Sequence, residues 1–282
     1  MKKQSISLLD IINNRLKNDK TLLPVFDATG LRIQQELRRE EPDLDKIEKI
    51  IVRDQALTGQ VLKTANSAFY RGLTKVSTVK SAIVRLGVNE IANLVIMAAH
   101  GKHFKASDPW GQRLMDDLWR HAIGTAIGAQ WLAAEQGLVA IAHEAFTAGL
   151  LHDVGKLLLY SVIDNLRRQS DLKVNASNEL IEEVMDSFHA QYGYLLLKTW
   201  NLPDAYCNVA RDHHLETSEN DPPQLLIVRL VNMACRKIGI GRKSDPGIIL
   251  AATPEASAVG SSEITLAKLE IKLEDSQLLS GQ

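Results

Sequence analysis

"RDQALTGQVLKTANSAFY" (residues 53–70) decides the fold class. Leu57, Val61, Leu62 and Ala65 recur at the spacing of one helical face, and Asp54 stands just ahead of them as a helix cap. The next segment, "STVKSAIVRLG" (77–87), repeats the pattern with Val79, Ile83 and Leu86. Ser77 is placed to cap it and Gly87 to end it in a left-handed turn. "NEIANLVIMAAH" (89–100) follows at once, with Asn89 as the expected cap and Ile91, Leu94, Val95 and Ala98 facing inward. Strict two-residue alternation never persists. The expectation is an all-α protein.

Breaks in this pattern suggest an organisation. "KASDPWG" (105–111) gathers Ser, Asp, Pro and Gly, and marks a junction between an N-terminal helical subdomain (1–105) and a helical bundle (106–282). "HLETSENDPPQ" (214–224) is a loop ahead of the apolar "LLIVRLVNMACRKIG", and "GRKSDPG" (241–247) is a further turn. Among 282 residues, 33 are Lys or Arg and 34 are Asp or Glu, giving a net charge of -1. That balance supplies no global basic field for nucleic acid or anionic lipid, and an aromatic content of 5 % offers no stacking platform for bases. Cys207 and Cys235 are too far apart for a zinc knuckle or a disulfide framework. The N-terminus turns polar before an apolar signal core forms, and no continuous apolar run approaches the ~20 residues of a membrane span. The expected location is the cytoplasm, without a membrane.

Chemistry enters with the histidines. "AGLLHDVGKLLLY" (148–160) sets His152 and Asp153 side by side in an apolar run. His121 lies on another helix, with Asp117 one turn earlier on the same face. His189 sits in "FHAQYGYLLLKTW", and His213 and His214 adjoin each other in "VARDHH". Each alone reads first as a helix-seam residue. Together they offer imidazole and carboxylate ligands for iron, manganese, nickel or zinc from several helices of one bundle. Adjacent positions on a helix point apart, so at most one of His213 and His214 is expected to lead the chemistry. His100, His103 and His143 have no partner at telling spacing. Lys156 and Arg211 read either as solvated charges or as holders of a phosphate beside a metal.

The order of a first His, a His-Asp pair and later ligands resembles the HD superfamily of metal-dependent phosphohydrolases. "LPVFDATGLRIQQEL", "IIVRDQALTGQVLKTANSAFYRG" and "VSTVKSAIVRLGVNEIANLVI" narrow the resemblance to the HDOD family, over about residues 20–215. That resemblance implies an all-α bacterial signalling module with a protein partner. It also implies ligand positions at Asp117, His121, His152, Asp153, His189, His213 and His214 for one or two divalent ions, with Asp153 and Lys156 as the catalytic pair if the protein is active. Asn232, in "LVNMACRKIG", falls where the HD-GYP branch would carry a last aspartate, and the GYP segment itself is missing. An amide offers a neutral carbonyl oxygen in place of an anionic ligand, which weakens a two-metal site. Two readings follow in order: a regulatory HDOD module with a retained or partly retained metal site, and a metal-dependent phosphohydrolase acting on a nucleotide or cyclic nucleotide phosphoester.

Overall fold

The computed structural model describes residues 7–18, 29–37, 39, 41–67, 70, 75–168 and 176–280. The start of "LPVFDATG" and parts of "AFYRG" lie outside them. Among the described residues every regular element is helical. The N-terminal part comprises α1 (Leu8–Asn18), α2 (Thr29–Leu37), α3 (Leu44–Val52), α4 (Gln55–Ala65), α5 (Val79–Leu86) and α6 (Val88–Gly101). The later part comprises α7 (Pro109–Glu135), α8 (Ala142–Leu151), α9 (Val154–Arg168), α10 (Asn178–Thr199), α11 (Asp204–Asp212), α12 (Pro223–Lys237), α13 (Pro254–Val259) and α14 (Glu263–Ser280).

Local chemistry sets most of these boundaries. Asp54 caps α4, its carboxylate accepting from the Leu57 N–H. Two expected caps shift by a residue or more. Thr78, not Ser77, caps α5, because its hydroxyl reaches the Ser81 N–H. α6 begins at Val88 directly after Gly87, leaving Asn89 inside the helix. Gly87 ends α5 not in a left-handed turn but at φ 81° and ψ 152°, a state that favours a residue without Cβ and turns the chain through 118° between α5 and α6. At the "SDPWG" break, Asp108 caps α7 through the N–H groups of Trp110 and Gly111, with Pro109 in the first turn.

The core falls into two apolar clusters. One is built from α2 to α6 together with Ala122, Ile123, Ala126 and Ile127 of α7 and Phe146 and Leu150 of α8. The other joins the opposite faces of α7 and α8 to α9–α12 and α14, and takes in Ile12 of α1. Glycines permit the close helix crossings that this requires. A Cβ on Gly149 would stand 2.8 Å from the Thr125 carbonyl oxygen of α7, and one on Gly155 would stand 1.9 Å from the His189 carbonyl oxygen of α10. By length and composition Val139–Arg168 is apolar enough to cross a membrane, contrary to the reading of the sequence as continuous runs. In the fold it breaks at His152–Asp153 and 83 % of its apolar window is buried against other helices.

Candidate metal centre

Four elements bring the ligands together. His121 comes from the middle of α7, His152 and Asp153 from the two-residue break between α8 and α9, His189 from α10, and His213 and His214 from the end of α11. His152 is fully buried and His213 nearly so. The rings touch in sequence: Nε2 of His121 lies 3.2 Å from Nε2 of His152, Nε2 of His189 lies 3.3 Å from that of His213, and Nε2 of His214 lies 3.0 Å from that of His189. Asp153 sits among them. Its Oδ1 is 3.2 Å from His189 Nε2 and 3.4 Å from His213 Nε2, and its Oδ2 is 3.6 Å from His152 Nε2 and 3.8 Å from His121 Nε2.

The other ring nitrogens decide the tautomers. His121 Nδ1 faces the Ile240 carbonyl at 3.2 Å, and His152 Nδ1 faces the Gly149 carbonyl at 2.7 Å. His189 Nδ1 faces the carbonyls of Met185 and Asp186, both at 2.9 Å, and His213 Nδ1 faces those of Val209 and Ala210 at 3.2 and 3.0 Å. A carbonyl oxygen only accepts, so Nδ1 is the N–H in each ring, and in the neutral ring Nε2 presents a bare lone pair. Burial lowers the pKa of His121, takes His152 well below its usual value, and brings His189 to about 4 and His214 to about 3. With Nδ1 carrying the hydrogen, the Nε2 lone pairs of the His121–His152 and His189–His213 pairs aim at one another with no hydrogen between them. That arrangement repels itself unless a cation fills the centre.

Asp153 adds to this. Its Oδ1 is buried and accepts no hydrogen bond, as expected if the neighbouring Nε2 atoms are bare. Burial alone would raise its carboxyl pKa. The Lys156 ammonium, 2.7 Å from Oδ2, together with His152, His189 and His213 around the carboxylate, outweighs that and holds the group well below the usual carboxylate range. Two sets of donors have ligand atoms within 4.8 Å of one another, His121 with His152 and Asp153, and Asp153 with His189, His213 and His214. Asp153 belongs to both. The donor chemistry, the fixed tautomers and the orphaned carboxylate oxygen all fit a divalent ion.

The remaining expectations divide. His213 and His214 both face His189, against the expectation that adjacent helical residues point apart. α11 ends at Asp212, so the chain has left the helix before His214, and the helical argument that separates adjacent side chains no longer applies. Asp117 reaches the cavity beside the cluster, but its carboxylate is paired with Arg120 and lies 3.9 Å from Arg242, outside the two donor sets. Asn232 of α12 is buried and lines that cavity. Arg211 is held by Asp212 and stacks over Tyr194, away from the cavity lining. His100 is buried against Phe104 and His103.

The cavity measures about 380 Å³ and is walled by His121, Asp153, His189 and His214 on the ligand side. Several wall residues escape helical periodicity because they come from the loop after α12. Ile240 supplies the carbonyl that orients His121, and Arg242 and Lys243 line the cavity. Gly239 and Gly241, at φ of 74° and 106°, bend the loop into place. Arg229, buried in α12, holds the ligand-bearing loop from behind through the Asp212 carbonyl at 2.7 Å and Asp221 at 2.5 Å.

These features define an all-helical protein with a largely buried His/Asp cluster able to hold metal. The HDOD domain model matches residues 23–216, and the chain belongs to that family. An HDOD domain protein of unknown function from Geobacter sulfurreducens shares the fold with a TM-score of 0.74 at 22 % identity, over 96 % of this chain and 95 % of that one. A "Putative metal-dependent phosphohydrolase" from Shewanella amazonensis SB2B aligns with a TM-score of 0.68 at 20 % identity, over 95 % and 97 %. In sequence, the chain is 26 % identical over 221 residues to an "Uncharacterized protein" of Treponema pallidum (strain Nichols). The match covers 76 % of this chain and 42 % of that protein, so the chain spans less than half the length of this curated relative.

Proposed function

We propose that the protein is a regulatory HDOD module of bacterial signal transduction that retains an HD-type metal centre. The observation that carries this reading is the convergence of bare Nε2 atoms on Asp153, with each opposing Nδ1 tied to a backbone carbonyl. His121, His152 and Asp153 hold one divalent ion, and Asp153, His189, His213 and His214 a second, with the Asp153 carboxylate shared; iron, manganese, nickel and zinc all suit the donors. When bound, such ions supply Lewis acidity and positive charge beside the cavity. Asn232 stands in the cavity wall where a further carboxylate would strengthen that hold, which favours a regulatory over a catalytic role. The division near residue 105, a signalling protein as partner and a cytoplasmic location belong to the same reading. The apolar cluster built mainly from α2–α6 supports the division, and its share of α7 and α8 joins the two parts.

A metal-dependent phosphohydrolase is the second reading, favoured by one observation. Lys156 lines the cavity while reaching Asp153, placing an ammonium where a phosphoryl group of a nucleotide or cyclic nucleotide would lie next to the ligands. Elemental analysis of the purified protein, followed by phosphodiesterase and phosphomonoesterase assays with manganese or iron, separates the two. Bound metal without turnover supports the regulatory module, and turnover supports the hydrolase. A protein that takes up no metal on loading overturns the centre.

A further inference from the structure

Four cationic side chains line the cavity: Lys156, Arg236, Arg242 and Lys243. Three are engaged. Lys156 lies 2.7 Å from Asp153, Lys243 lies 2.6 Å from Asp186, and Arg242 grips Glu182 with two hydrogen bonds. Arg236 differs. Among the described residues its guanidinium forms no ion pair, and its Nε is buried without a hydrogen-bond partner. An unmet donor on a permanently charged group is costly, and a protein keeps one chiefly where something else comes to meet it.

The sequence explains why Arg236 is uncompensated. Asn232 lies one turn earlier on α12, and both residues line the cavity. At this i, i+4 spacing an aspartate would pair with the guanidinium, whereas a carboxamide leaves the charge in place and adds N–H donors of its own. We infer that Arg236, left unpaired by Asn232, is the anion receiver of this cavity, and that its ligand is a phosphate oxyanion, free or carried by a larger molecule. A guanidinium fork matches two oxygens of a tetrahedral phosphate. The charge inventory argues for a dianion. The four cations face four carboxylates, Asp117, Asp153, Glu182 and Asp186, so the wall is balanced until metal binds; the two dications of the proposed centre then leave an excess of positive charge that a dianion reduces. This last step rests on the metal-centre reading; the unpaired Arg236 does not.

Calorimetric titration of the full chain tests the inference, metal-stripped and manganese-loaded, with inorganic phosphate and separately with adenosine monophosphate. Wild type binds at least one. Tighter binding of the monophosphate identifies a phosphoryl group on a larger ligand, and equal binding identifies free phosphate. Arg236→Gln weakens binding by at least about tenfold, the loss of a charge-assisted bidentate contact. Asn232→Asp weakens it in the stripped protein by pairing with Arg236, and Arg211→Gln leaves it unchanged. Manganese content of the Arg236 variant stays at the wild-type level, a readout that separates anion binding from metal binding. If Arg236→Gln does not fold, Arg236→Lys, which keeps the charge without the fork, carries the test. Wild-type affinity in the folded Arg236 variants overturns the inference. So does a wild type that binds neither probe, and its manganese content then shows whether the metal centre stands without it.

Discussion

Gly155→Ala is the sharpest test of how the fold holds the cluster. Gly155 lies in the first turn of α9, two residues after Asp153, where α9 crosses α10. An added Cβ would meet the His189 carbonyl oxygen at 1.9 Å and the Gly193 nitrogen at 2.6 Å. Both are backbone atoms, so no rotamer change relieves the overlap. Ordinary contact begins near 3.4 Å, so α9 and α10 must part by roughly 1.5 Å at this point. Overpacking of this kind costs about 1–3 kcal/mol or more, and backbone against backbone belongs at the upper end. At about 2–4 °C per kcal/mol, a loss of ~3 kcal/mol lowers Tm by roughly 6–12 °C. The displacement also acts on the site, because Asp153 precedes α9 and His189 is carried by α10, and their 3.2 Å approach depends on that crossing. Thermal unfolding followed by circular dichroism, together with manganese per chain after loading, measures both effects. A variant that melts within about 1 °C of wild type and loads metal equally well refutes the claim that this crossing sets the ligand geometry.

Asn232→Asp raises manganese content and Asp153→Asn lowers it sharply, since the first adds a ligand oxygen at the cavity wall and the second removes the carboxylate shared by both donor sets; equal content in all three proteins refutes both roles. Arg229→Met lowers the urea midpoint by the equivalent of ~3–5 kcal/mol, because it strands the partners of a buried guanidinium, and it lowers metal content by releasing the Asp212 carbonyl beside His213; an unchanged midpoint counts against it. Asp108→Ala costs ~1 kcal/mol at neutral pH through loss of the α7 cap. The Gly111 N–H holds the Asp108 carboxyl below its usual 3.8, so its contribution is present above that value and fades as pH falls through the lower folded value. The stability gap between the variant and wild type therefore closes in strong acid; a gap that persists there shows that the cap does not act through the ionised carboxylate.

Most of the fold was legible because helices announce themselves by period and cap. Leu57, Val61 and Ala65 are all buried as their spacing requires, and Asp54 caps where it stands. Cap placement failed by small steps where two candidates adjoin. Ser77 and Thr78 are chemically equivalent, and only the φ and ψ of the folded chain choose between them. Convergence of the histidines could be proposed from their residue types, but not the tautomers, which depend on backbone carbonyls such as that of Ile240, 119 positions from His121. The same distance in sequence hid Arg242 and Lys243. Arg229 and Arg236 sit in an apolar helix that shows no sign, by period alone, of which cation is buried in an ion pair and which is left without one. Gly155 was visible only as a glycine in a leucine-rich helix, since the strand of backbone it accommodates belongs to α10.

α7 and α8 have a further consequence. His121 is followed directly by Ala122 and Ile123, and His152 comes soon after Leu150, so neighbouring positions on the same two rods belong to the ion cluster and to the N-terminal core. Free-energy coupling of this sort is reciprocal by necessity: whatever factor ion loading imposes on the affinity of the N-terminal face for another molecule, that molecule imposes on the affinity for the ion. Under the proposed function, a module built on such shared rods would report its metal state to a distant surface without turning over a single substrate.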